Sequence, residues 1–164
     1  MRLAHIRSDI PGEMNATLRR LAEARAAEGA RVVGAVQINR RPVEDGPSDM
    51  DLRLLPDGPE LRISQSLGPG SSGCRLDPER LEIAVHECET RLAAGADLLI
   101  VNKFGGHEAE GRGFRGLIGT ALAEGIPVVV GVTEGSIGDY LAFSDGIGEE
   151  LPCDLDRLLA WTRG

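Results

Sequence analysis

Seven side chains able to take part in chemistry crowd into one short stretch: Asn102, Lys103, His107, Glu108, Glu110, Arg112 and Arg115, broken by Gly105, Gly106, Gly111, Gly113 and Gly116. Cationic side chains around glycine backbone, whose N–H groups can approach a ligand closely, are the equipment of an anion site. A second stretch, Leu67-Gly-Pro-Gly-Ser-Ser-Gly-Cys-Arg75, adds the donors Ser71, Ser72 and Arg75 in a span with three glycines, and its alternative role is that of a plain connector. Cys74 stands beside Arg75, a placement that favours its thiolate, although an inert cysteine fits the same position. His107 next to Glu108 has acid–base potential, but no second histidine or cysteine pair shares its motif, so no metal centre is expected. Arg112 and Arg115 have a competing role as ion-pair partners of Glu108 and Glu110, worth about 0–1 kcal/mol each at a surface.

These residues need elements to hold them. Leu98 to Val101 form a continuous apolar run too short for a helix, which predicts a strand buried on both faces and ending at Asn102. A lysine at the carboxyl end of such a strand is placed to face the crevice where open α/β sheets hold ligands, its alternative role being that of a solvated loop residue. Leu3 to Ile6 predicts a first strand, followed by a Pro-Gly loop and a helix capped by Asn15 and stopped by Gly29; Arg31 to Gln37 predicts the next buried strand. Asn39 to Ser48 reads as a loop. Asp51–Leu55 and Glu60–Ser64 flank Pro56-Asp-Gly-Pro59 as a β-hairpin.

Asp77 and Pro78 start a helix whose inward stripe is Leu81, Ala84, Val85, Cys88 and Leu92, with Gly95 as its stop. Phe114, Leu117, Ile118, Ala121 and Leu122 give a further helix, with Arg112 and Arg115 in its first turn and Gly125 at its end. Pro127 to Val132 is another buried strand, Ser136 to Phe143 a weaker helix, and Asp154 to Trp161 a last helix capped by Asp154. The alternation predicts one α/β domain over 1–164, with three layers, a mainly parallel sheet and an added antiparallel hairpin.

Composition excludes several classes. Eighteen basic against 26 acidic residues leave a net charge of −8, which disfavours a nucleic-acid surface. The three cysteines are odd in number and widely spaced, which suits reduced thiols and a cytoplasmic setting. No apolar run reaches the roughly 18 residues that a membrane span needs. The turn after the first strand, Ser8 to Thr17, lacks the Gly-Lys-Ser/Thr ending of a phosphate-binding loop, and Glu13 there repels phosphate. At the end of the central strand Asn102 and Lys103 stand where a magnesium-holding carboxylate would be needed, so NTP hydrolysis is disfavoured.

Gln65 to Asp77, Leu98 to Gly113 and Asp49-Met-Asp-Leu52 resemble a bacterial family of unknown function that is often encoded near molybdate-uptake genes. That family is in turn similar, more distantly, to the thermophile type of P-loop nucleoside-triphosphatase, in which a strand ending Asp-Glu-Ile-Gly and a following Glu take the place of Asn102 to Gly105 and Glu108. The resemblance implies a degenerate P-loop NTPase-like fold, and it brings molybdate into view as a ligand.

The expected activity is binding of a small anion or anionic metabolite, without efficient NTP hydrolysis. A residual nucleotide-binding or NTPase role and a regulatory or scaffold role are the alternatives. The expected ligand-binding set is Ser71, Ser72, Cys74, Arg75, Asn102, Lys103, Glu108, Arg112 and Arg115. No cofactor is fixed by that set, an oxyanion and a nucleotide being the candidates. The partner is a small anionic ligand rather than a nucleic acid or a membrane, and a homo-oligomer is compatible with the composition.

Overall fold

The computed structural model describes residues 1–40, 49–65 and 76–164. In chain order the elements are β1 (Leu3–Ile6), α1 (Glu13–Ala27), β2 (Val32–Arg40), β3 (Asp49–Leu55), β4 (Glu60–Arg62), α2 (Pro78–Ala93), β5 (Leu98–Phe104), α3 (Gly106–Ala109), α4 (Arg115–Ala123), β6 (Val128–Val132), α5 (Ile137–Ser144), β7 (Glu149–Glu150) and α6 (Leu155–Arg163). One sheet carries all seven strands in the order β4-β3-β2-β5-β6-β1-β7. Five of them run parallel, and β3 and β4 are the antiparallel hairpin added at one edge.

The apolar runs explain the layering. Successive residues of a strand face opposite sides, and in β5 Leu99 and Val101 join one core while Leu98 and Ile100 join the other. The first core is closed by α2, α4 and α5 through Leu81, Val85, Cys88, Leu117, Ile118 and Tyr140. The second is closed by α1 and α6 through Leu18, Leu21 and Leu158. Each fully buried side chain of this size contributes about 1.5–3 kcal/mol relative to exposure, so the continuous runs fix the sheet at the centre. The expected α/β architecture, mainly parallel with a hairpin, is present. Among the described residues no helix is long and apolar enough to cross a membrane.

Several local signals hold. Asp77 accepts from the N–H groups of Glu79 and Arg80 at the start of α2, Asp154 accepts from Arg157 in α6, and Gly29, Gly95 and Gly125 adopt positive φ behind their helices. The predicted stripe of α2 is buried throughout, and burial pushes the Cys88 thiol up to about 12, so this cysteine is a core residue.

Others differ. Asn15 is not a cap: α1 begins at Glu13, behind Gly12 at φ 79°, and Asn15 lies inside the first turn. The central strand does not end at Asn102 but continues to Phe104, and Asn102 finds polar partners that let it stay in the sheet. Arg112 precedes α4 and is not in its first turn; a one-turn helix, α3, had no apolar period to announce it. The predicted loop from Asn39 begins two residues late, since β2 runs to Arg40, and its remainder at 41–48 lies outside the described residues. The two-residue strand β7 leaves no sequence signature.

Candidate functional site

Asn102 and Lys103 are successive residues of β5, within the stretch from Val101 to Phe104 where its pairing with β6 is irregular. Asn102 is 3% exposed. Its Oδ1 accepts the Gln37 N–H of β2 at 2.8 Å, and its Nδ2 donates to Asn15 Oδ1 of α1 at 2.9 Å. The amide is therefore a brace between two strands and a helix. Lys103 is exposed, and no hydrogen bond or ion pair joins it to any described residue. A Cβ at Gly105 would stand 3.4 Å from Lys103 Cε, so that glycine leaves the room in which the lysine stem lies.

Lys103 borders a cavity of about 410 Å³ on the face covered by α2 and α4, lined by Gln37, Met50, Leu52, Ile63, Leu76, Leu81, Asn102, Lys103, Gly105, Gly106, His107, Glu108, Glu110 and Phe114. Its floor is apolar, from Leu52 of the hairpin, Ile63, Leu81 of α2 and Phe114 ahead of α4. Its rim is polar. The stretch 66–75 departs from Gln65 and returns at Leu76, which are tied by a bond from Gln65 Nε2 to the Leu76 carbonyl at 3.1 Å. Ser71, Ser72, Cys74 and Arg75 belong to that stretch and lie outside the described residues.

Glu108 lines the cavity, yet its carboxylate is engaged. It is 4% exposed, Oε1 accepts from Gly105 N–H at 2.9 Å, and Oε2 accepts from Phe114 N–H at 3.1 Å. One side chain thus folds residues 105–114 around itself. Gly113 is required there: at φ +60° its Cβ would fall 1.6 Å from Glu108 Oε2. Burial raises the Glu108 pKa above the ordinary 4.5, against the opposing pull of the two backbone N–H groups.

This carboxyl yields a test of sign. Its folded pKa is raised, so the contribution of its proton is complete below 4.5 and is lost as pH rises through the folded value. Glu108→Gln presents an NH₂ group to one of the two backbone donors and is expected to cost about 1–3 kcal/mol. The gap from the wild type should widen between about pH 8 and about pH 5, because only the carboxyl takes up the proton. Urea titrations at both pH values measure it, and a gap that narrows on acidification refutes the assignment.

Neither arginine of the stretch borders the cavity. Arg112 pairs with Glu110. Arg115 Nη1 lies 3.4 Å from the carbonyls of Glu108 and Ala109, and its guanidinium sits 5.0 Å above the Phe143 ring. Both serve the fold of the turn around α3. His107 is on the cavity rim. Among the described residues no group of three or more His, Cys, Asp or Glu is arranged to hold a metal ion.

The strand order reverses between β6 and β1, the point at which a nucleotide phosphate would meet the start of α1. Here the mouth is lined by Arg7, Ser8, Asp9, Glu134 and Glu150. Arg7 is taken up by Glu150 at 2.6 Å and Glu134 at 3.4 Å, and the bond to Arg7 holds the Glu150 carboxyl below the usual range. Ser8 donates to Glu13 at 3.0 Å. Four carboxylates and one neutralised arginine oppose a polyphosphate.

Sequence reasoning points to Lys103 but not to the apolar floor of the cavity that it borders. Leu52, Ile63, Leu81 and Phe114 satisfy core periodicity, and nothing in their spacing separates a cavity wall from a filled core. One signal was available in the composition. The chain has seventeen arginines and a single lysine, Lys103.

A family model described as "Protein of unknown function (DUF2478)" matches residues 3–161. The molybdenum import ATP-binding protein ModC 2 of Bradyrhizobium diazoefficiens is 37% identical over 138 residues, which make up 82% of this chain and 15% of that protein. The chain therefore spans only a small part of that relative's length. Among solved structures, THEP1 from the hyperthermophile Aquifex aeolicus matches with a TM-score of 0.61 at 10% identity, over 94% of this chain and 90% of that one. At that identity the likeness is one of fold.

Proposed function

We propose, for a chain that belongs to the DUF2478 family, that it binds a small anion or anionic metabolite at Lys103 and does not efficiently hydrolyse nucleoside triphosphates. The observation that carries this reading is the lysine itself. The only lysine of the chain stands at the carboxyl end of the central strand, on the rim of a cavity, with no described residue to neutralise it. Most other cations near strand ends are paired: Arg7 with Glu150, Arg40 with Asp51 and Glu60, Arg62 with Asp49 and Asp51. A point charge held beside low-dielectric walls attracts an anion more strongly than one in bulk water.

Against hydrolysis, the described groups that could serve it are engaged elsewhere. Asn102 is spent on Gln37 and Asn15, Glu108 on the backbone of its own turn, and the mouth at β1 is acidic. The similarity to part of a molybdenum import protein makes molybdate a ligand to try, and the fold makes ATP and GTP the necessary controls.

Thermal unfolding against molybdate, tungstate, sulfate, phosphate, carboxylic acids, ATP and GTP, with and without magnesium, tests the proposal. A ligand that binds only the folded state adds RT ln(1 + [L]/Kd), about 2.7 kcal/mol at a hundredfold excess over Kd. An anion that raises the midpoint without magnesium is the expected result. Stabilisation by magnesium nucleotides alone, with turnover, would instead establish a nucleotide enzyme.

A further inference from the structure

We infer, building on that anion-binding reading, that the ligand is an amphiphilic organic anion: one carboxylate, phosphate or sulfonate head on an apolar body, rather than a bare inorganic oxyanion. Space, free donors and charge around the cavity all point this way.

Space comes first. A tetrahedral oxyanion takes the room of a few waters, on the order of 60–90 Å³ by the liquid share of about 30 Å³ per water, against a cavity of about 410 Å³. The remainder is bounded by Leu52, Ile63, Leu81 and Phe114, with the half-buried Met50 and Leu76 beside them. Filling that part with water leaves their surface wetted. Filling it with hydrocarbon does not.

Among the described residues the free side-chain donors are few for a bare dianion. Such an ion gives up a full hydration shell and needs several N–H and O–H groups in return. On this rim the side chains of Asn102 and Glu108 bond to the protein itself, and Gln37 donates a side-chain N–H to Asn39 at 2.9 Å. Among the described lining residues Lys103 and His107 are the donor side chains with no side-chain bond of their own, and Asn102 and Gln37 each keep one amide N–H. A set this small suits one head that keeps part of its surface in water.

Charge sets the number of heads. Glu110 stands on the same rim, held by Arg112, and repels a second negative group. A ligand with a single anionic end directed at Lys103 and an apolar end over the floor meets every one of these conditions.

Because Lys103 is the sole lysine, its acylation by an N-hydroxysuccinimide ester reports on the site by itself, with the α-amino group of Met1 as the internal reference. The wild-type chain is labelled in the presence of acetate, butyrate, hexanoate, octanoate, phenyl phosphate, the matching n-alkanols, and sulfate, phosphate and molybdate, and the Lys103 peptide is quantified by mass spectrometry. Half-protecting concentrations should fall about fourfold per added methylene, the affinity equivalent of one buried methylene, until the cavity is filled. Alkanols and bare oxyanions should need at least about tenfold more than octanoate, since each lacks one of the two parts.

Protection by molybdate, phosphate or sulfate as good as that of octanoate overturns this inference and leaves the anion-binding reading standing. Equal protection by alkanol and acid refutes the role of the head, and so does away with Lys103 as an anion site. Failure of every anion to protect Lys103 ends both readings. Unchanged far-UV circular dichroism across the series separates each of these from unfolding.

Discussion

Gly34→Ala is expected to remove at least about 3 kcal/mol of stability, a large part of the 5–15 kcal/mol typical of a whole domain. Gly34 lies in β2 at φ +123°, paired with Ile100 of β5. An added Cβ would stand 1.9 Å from the Ile100 carbonyl oxygen and 2.9 Å from its carbon. Those atoms are backbone of the neighbouring central strand, so no side chain can swing aside to relieve the overlap. The carbonyl of Gly34 also receives the Cys88 thiol at 3.4 Å, which ties the same residue to α2. Relief requires the parallel pairing of β2 with β5 to open, and that pairing holds Gln37 against Asn102 at the site.

Gly29→Ala is the control. Its φ is +89°, but a Cβ there meets nothing within 4 Å, so it carries the backbone penalty alone, about 1 kcal/mol. Urea midpoints followed by circular dichroism separate the two. Equal midpoints would show that the steric argument, and with it the described approach of β2 to β5, is wrong.

Lys103→Ala should weaken anion binding about 10- to 100-fold, the worth of one charge-assisted contact. It should leave the unfolding midpoint within about 0.5 kcal/mol, as for an exposed side chain without partners. This separation of binding from stability is unusual for a strand residue, and it follows from the division of labour between two neighbours. Asn102 bonds to Gln37 and Asn15, and Lys103 has no described partner. Lys103→Arg keeps the charge but brings a planar, more weakly hydrated fork into the space beside Gly105 that the lysine stem occupies; it should recover only part of the loss. Calorimetric titration with the best anion from the unfolding panel measures all three proteins. Binding that survives Lys103→Ala undiminished moves the site elsewhere and removes the support for the proposed function.

The fold was legible wherever burial wrote a pattern. Leu98 to Val101, Val128 to Val132 and the stripe from Leu81 to Leu92 each announce an element, because apolar area is what a folded chain must hide. Of the expected site residues, Lys103 stands at the cavity rim, whereas Glu108, Arg112 and Arg115 bond within the chain around α3. A carboxylate that accepts backbone N–H groups and one that meets a ligand have the same letter. The difference lies in whether Gly105 and Phe114 come within reach, and only the closed turn decides that. Asn15 failed as a cap for a similar reason: its side chain looks across to Asn102 instead of back along its own helix.

That last contact ties the end of the central strand to a helix. The carboxyl end of β5 is pinned through Asn102 to α1 and carries Lys103 one peptide further on. Movement of α1, whether from a substitution or from a protein seated against it, is delivered to the lysine through a rigid lever rather than damped by loop. Asn15, which is not among the residues lining the cavity, thereby joins those that hold Lys103 in place.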